Sequence, residues 1–122
     1  KVAKSIYENI FSAVIETHEN GQKFVRLPNG LKLRTQSEKT GQTRISISPD
    51  KIRISQNNFN AQENTRKGKI IQLNQEQFNV RVLIDAGIPL NVLIPKESFN
   101  SHEMGIGDHV WITCTEESID IF

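Results

Sequence analysis

The chain has 122 residues, 36% hydrophobic and 24% charged, with a formal net charge of +1 at neutral pH. That length is one domain or two very small ones, with an ordinary globular balance. No apolar run approaches the roughly 20 residues of a membrane span, no leader pattern opens the chain, and so small a net charge gives no general attraction for nucleic acid or anionic lipid.

Taken in chain order, almost every apolar segment alternates with period 2, which predicts strands with one buried face. Phe11, Ala13 and Ile15 share a face, with Ser12 and Glu16 opposite. Phe24-Val25-Arg26-Leu27 leads through Pro28-Asn29-Gly30 into Leu31-Lys32-Leu33-Arg34. Pro presets φ while Asn and Gly tolerate positive φ, so the tripeptide predicts a turn. Residues 36–42 are polar and predict a loop. Ile45, Ile47, Ile52 and Ile54 resume the alternation, with a bend at Ser48-Pro49-Asp50, where Pro49 cannot donate to a ladder. A polar stretch, 56–67, follows. Beyond it Ile71 and Leu73 are expected on one face, and Phe78, Val80, Val82 and Ile84 form the cleanest half-buried strand. Asp85-Ala86-Gly87 turns into Leu90, Val92 and Ile94. The segment from Pro95 to Met104 opens Pro-Lys-Glu-Ser and predicts one or two helical turns. Gly105-Ile106-Gly107-Asp108 turns into Val110, Ile112 and Cys114, and Ile119 to Phe122 closes an all-β chain.

Two stretches echo each other. Glu8-Asn9 followed by Ala13-Val14-Ile15 returns as Glu63-Asn64 followed by Gly68-Lys69-Ile70. The run from Ser46 to Ile54 lines up with the run from Thr113 to Ile121, the spacing having grown because the second copy carries extra residues before its final strands. Each copy is too short to close a good core alone, so a duplicated β module built as one body is implied. Short antiparallel strands hide their edges by closing into barrels. The expected architecture is two tandem OB-like barrels, over 1–57 and 58–122, exchanging strands if the first strand of each copy is lent to the other.

The chemistry in these residues is sparse. There is no Gly-x-x-x-x-Gly-Lys-Ser/Thr loop, and a single cysteine excludes Cys-rich zinc sites. Cys114 sits on an alternating strand and is read as a small buried thiol, in keeping with a cytosolic chain. His18, His102 and His109 lie in or beside turns without metal-site spacing. Glu116 and Glu117 are neighbours on a strand pattern and point to opposite faces. No nucleophile–base pair is found, so no catalytic residue, metal or cofactor is assigned and the chain is not expected to be an enzyme by itself.

The run Ile84-Asp85-Ala86-Gly87-Ile88-Pro89-Leu90-Asn91-Val92-Leu93-Ile94-Pro95-Lys96-Glu97-Ser98 resembles the Mop/TOBE module found at the C-terminal end of ATP-binding subunits of ABC importers, most closely the molybdate and tungstate type. Gly68-Lys69-Ile70, the turn Gly105 to Val110, and Ile47-Ser48-Pro49-Asp50-Lys51-Ile52 echo the same family. The resemblance implies an accessory regulatory domain on the cytoplasmic side of a transporter. It would form a homodimer with its twin subunit and touch its own ATPase domain. The transmembrane subunit would be an indirect partner, and ATP would bind the parent domain. Lys1 opens the chain without an initiator methionine, which fits a fragment following such an ATPase.

In the molybdate branch the family binds the oxyanion where modules meet. Its Ser-x-Arg-Asn loop falls on Ala61-Gln62-Glu63-Asn64, its Thr before the inserted turn on Pro95, its following Ser on Ser98, and its Lys on Thr115. A hydroxyl is thus lost at Ala61, a cation becomes an anion at Glu63, and Pro95 offers neither hydroxyl nor N–H. A carboxylate facing a dianion costs roughly 4 kcal/mol per pair of unit charges ~4 Å apart at intermediate dielectric. The family's oxyanion cage is therefore expected to be degraded, with Lys67, Lys69 or Lys96 the available substitutes, and molybdate is expected to change the melting temperature little. The alternative is a free-standing Mop-type molybdate- or tungstate-binding protein. An OB-fold nucleic-acid binder would want exposed aromatics and a basic groove, whereas aromatics are 7% and Phe24 and Phe78 sit in core patterns.

Overall fold

The computed structural model describes residues 8–56, 64–100 and 103–122. Among the described residues ten strands form two five-stranded sheets, each curled as a half-barrel. They are β1 (Ile10–Thr17), β2 (Lys23–Arg26), β3 (Lys32–Thr35), β4 (Gly41–Ile47), β5 (Arg53–Ser55), β6 (Thr65–Gln75), β7 (Asn79–Asp85), β8 (Pro89–Pro95), β9 (His109–Thr113) and β10 (Ile119–Ile121). A five-residue helix α1 (Lys96–Asn100) follows β8. The sheet orders are β10-β4-β1-β2-β3 and β5-β9-β6-β7-β8, and all pairings are antiparallel.

The expected alternation builds the core directly. Ile15, Val25 and Leu33 stand opposite one another across the first sheet, and Ile70, Ile84 and Leu90 across the second. All six are buried in one cluster that runs through both halves. Burial of such side chains is worth roughly 1.5–3 kcal/mol each, which makes register the main stabilising choice.

Strands are exchanged, but they are the last of each copy, not the first. β5 leaves the first copy to pair with β9, and β10 leaves the second to pair with β4. The cause is a matched pair of crossovers. Pro49–Lys51 and Glu116–Ser118 are single 3-10 turns at equivalent places, closed by Lys51 N–H to Ser48 O and by Ser118 N–H to Thr115 O. Ser48 N–H donates to Ser118 O at 2.7 Å, so the crossovers brace each other. Asn9 and Asn64 are also equivalents. Asn9 bonds the backbone of Ile47, and Asn64 that of Cys114, through both side chain and main chain.

Two local expectations fail for geometric reasons. β6 carries a bulge between Ile70 and Gln72, so Ile70 turns inward and Ile71 outward. Phe78 lies just before β7 at a hairpin end and is 73% exposed, outside the core that its spacing to Val80 predicted. Gly68, at the place of Ala13, has no room for a side chain: a Cβ there would lie 2.5 Å from Ile84 Cγ2.

Candidate functional site

The structure places Asn64 at one cleft and Pro95 and Ser98 at another. Ala61 and Glu63 lie outside the described residues. Asn64 borders a cleft of about 370 Å³, and its Nδ2 donates to Cys114 O at 2.9 Å. Thr115 precedes the second crossover turn, where its carbonyl accepts from the Ser118 N–H and hydroxyl. Pro95 and Ser98 border a separate cleft of about 300 Å³, with Arg53, Asp50 and an apolar lining that includes Ile52 and Met104. None of the substitute cations named from sequence lines either cleft: Lys67 and Lys69 are exposed on β6, opposite Trp111 and His109, and Lys96 opens α1.

A further cleft, about 490 Å³, lies elsewhere, against the first sheet. Register builds it. Ser12 on β1 stands opposite Arg44 on β4, and Val14 stands between Gln42 on β4 and Arg26 on β2. Leu27 and Pro28 extend its apolar wall. Among the described residues its lining holds two guanidiniums, a carboxamide and two hydroxyls, that of Thr43 donating to Phe122 O, but no carboxylate. Arg26 is shared with Glu16, Nε to Oε2 at 2.8 Å. Among the described residues, no hydrogen bond or ion pair engages the Arg44 guanidinium. The Arg44 guanidinium, with the Gln42 amide and the Ser12 hydroxyl as further donors, can meet oxyanion oxygens, each of which needs a donor when water is removed.

Among the described residues two titratable groups are clearly shifted. Hydrogen bonding to Glu76 raises the Arg81 pKa, and Glu8 adds to it against the cost of burial. Burial pushes the Cys114 thiol up to about 12, so it is a poor nucleophile at neutral pH. His18 packs on the Phe24 ring at 4.5 Å, His109 is exposed, and His102 lies outside the described residues. Among the described residues no group of three His, Cys, Asp or Glu side chains is placed to hold a metal. No helix there is long and apolar enough to cross a membrane.

The architecture is that of tandem OB-like Mop modules. Among 31 matching solved chains is the cytoplasmic molybdate-binding protein ModG with molybdate bound, at a TM-score of 0.77 and 12% identity over 98% of each chain. At that identity the likeness establishes the fold. No protein-family model matches the chain, and no curated protein matches it.

The Arg26–Arg44 cleft escaped the sequence reading because its members come from three strands and form no local motif. Their signal was only that each is polar on an outward position. It becomes a site once the pairing of β1 with β2 and β4 is known.

Proposed function

We propose that this chain binds a small tetrahedral oxyanion of the molybdate class, as a cytoplasmic tandem-Mop protein that works as an assembly of its own copies. Its end-to-end likeness in fold to ModG supports the binding reading over an accessory domain of an ABC importer, which rests on sequence resemblance alone. The single observation that carries it is the cleft of Arg26 and Arg44 with Ser12 and Gln42, where among the described residues the Arg44 guanidinium has no hydrogen-bond or ion-pair partner. Subtracting family ligands along the sequence leaves no cage, but this cleft supplies donors from positions outside the family's set. Arg44 supplies positive charge, with Arg26 shared with Glu16 beside it, and planar forks hold oxyanion oxygens in pairs. The cleft opens to solvent, so a second copy packed over it would remove water and strengthen the contacts.

Thermal unfolding with molybdate, tungstate or sulfate tests the reading. A ligand present at a hundred times its Kd stabilises the folded state by about 2.7 kcal/mol, so tungstate and molybdate should raise the melting temperature by several degrees. A melting temperature unmoved by millimolar molybdate and tungstate would overturn it. Sedimentation should show a dimer or larger assembly, and a strict monomer at high concentration would remove the proposed lid.

A further inference from the structure

We infer that the open cleft between Asn64 and the β3 edge is a second binding site, for the planar carboxylate of a small organic acid. The inference starts from an inequality between equivalent places. Asn9 and Asn64 hold matching positions, and register makes Asn91 on β8 the counterpart of Arg34 on β3. At one seam the Asn9 side chain closes the gap: Oδ1 accepts from Asn91 N–H at 2.8 Å and Nδ2 donates to Asn91 O at 2.9 Å. At the other seam no hydrogen bond joins Asn64 to Arg34, and the cleft of about 370 Å³ lies between them.

The counterpart therefore displays what this cleft is shaped to accept, a flat group with two polar atoms set against an edge strand. Arg34 offers the same backbone pair. Leu27 N–H donates to Leu31 O at the turn end of β2–β3, and alternation from there leaves Arg34 in a non-bonded pair with Phe24, its N–H and C=O turned to the open edge. Charge then separates carboxylate from amide. Among the described residues Lys32 and Arg34 line the cleft against one carboxylate, Glu116, with Lys32 Nζ also 4.0 Å from Glu16 Oε1 outside it, whereas Asn91 carries no charge. One ligand oxygen would take the Arg34 N–H and the other the Lys32 ammonium, with the remaining Asn64 amide hydrogen directed at either. Leu33 and the Phe24 ring, already covered by the Arg34 guanidinium at 6.0 Å, provide an apolar wall for the body of the acid. This site shares no lining residue with the Arg26–Arg44 cleft.

Amide NMR on the intact 15N-labelled chain tests it with benzoate, benzamide and molybdate. Benzoate should saturably shift the Arg34 N–H and the Asn64 side-chain NH2 while the Asn91 N–H, held by Asn9, stays in place. Benzamide should bind at least about tenfold more weakly, and Lys32→Gln or Arg34→Gln should each weaken benzoate by about tenfold, the scale of a lost charge-assisted contact. Both substitutions lie on the outward side of an edge strand and leave the core intact. Equal binding of benzamide, equal movement at Asn91, or no movement up to the solubility of benzoate would each overturn the site. Molybdate is expected to move signals of Ser12 and Arg44 instead. Its failure there would count against the proposed function and leave the benzoate result standing, while molybdate displacing benzoate would overturn the carboxylate assignment.

Discussion

The two seams of this molecule were built from one plan and have diverged in how tightly they close. At the first, the stretch entering β1 is fastened to the other module: Asn9 is buried, it makes three side-chain hydrogen bonds, and Glu8 pairs with Arg81 on β7. At the second, Asn64 keeps only its bond to Cys114 among those contacts, and Gln22 stands where register places the counterpart of Arg81. The core position beneath differs as well, Ile47 under one seam and Cys114 under the other, both fully buried. Duplication preserved the hydrogen-bonding frame, and a few side chains decided which seam stayed open to ligands.

The largest expected difference concerns Cys114. Its folded pKa of about 12 lies above the ordinary 9.0, so the unfolded chain releases this proton first as pH rises. The stabilising contribution is intact below pH 9 and is lost between there and the folded pKa, at about 1.4 kcal/mol per pH unit. Denaturant unfolding of the parent and of Cys114→Val should diverge steadily through that window, and parallel curves would contradict a buried thiol.

Next come the two asparagines. Asn9→Ala should cost about 3 kcal/mol, because it strands buried backbone groups in both modules, and Asn64→Ala about 1 kcal/mol. Urea midpoints read both, and a costlier Asn64 would reverse the comparison. Gly68→Ala should cost about 2 kcal/mol through overpacking against Ile84, whereas Ala13→Gly at the equivalent place should cost about 1 kcal/mol. Smallest of all is Arg81→Gln. Its ion pairs are partly exposed, so the loss should stay below about 1 kcal/mol and shrink further in high salt.

Much of the fold was legible because period-2 alternation at Ile15, Val25, Leu33 and their counterparts states which face is buried. The echo of Glu8-Asn9 in Glu63-Asn64 likewise announced two copies. Which strand crosses over was not legible. β5 and β10 carry the same pattern whether they pair at home or away, and the decision lies in the two crossover turns meeting at Ser48 and Ser118. The bulge at Ile71 reversed a face because one extra residue shifts the whole count. The site was the least legible part. The resemblance named positions along the chain, and the structure sets two of them, Asn64 and Ser98, in different clefts. Arg26 and Arg44 became partners only through the strand between them.

Calorimetric titration of molybdate into the parent and into Arg44→Gln addresses the binding claim most directly. Saturable binding by the parent, weakened tenfold or more in the variant while its circular dichroism and melting remain those of the parent, is the predicted result, on the scale of a lost charge-assisted hydrogen bond of about 1.5–3 kcal/mol. Identical isotherms for the two proteins, or no heat from either, would contradict it.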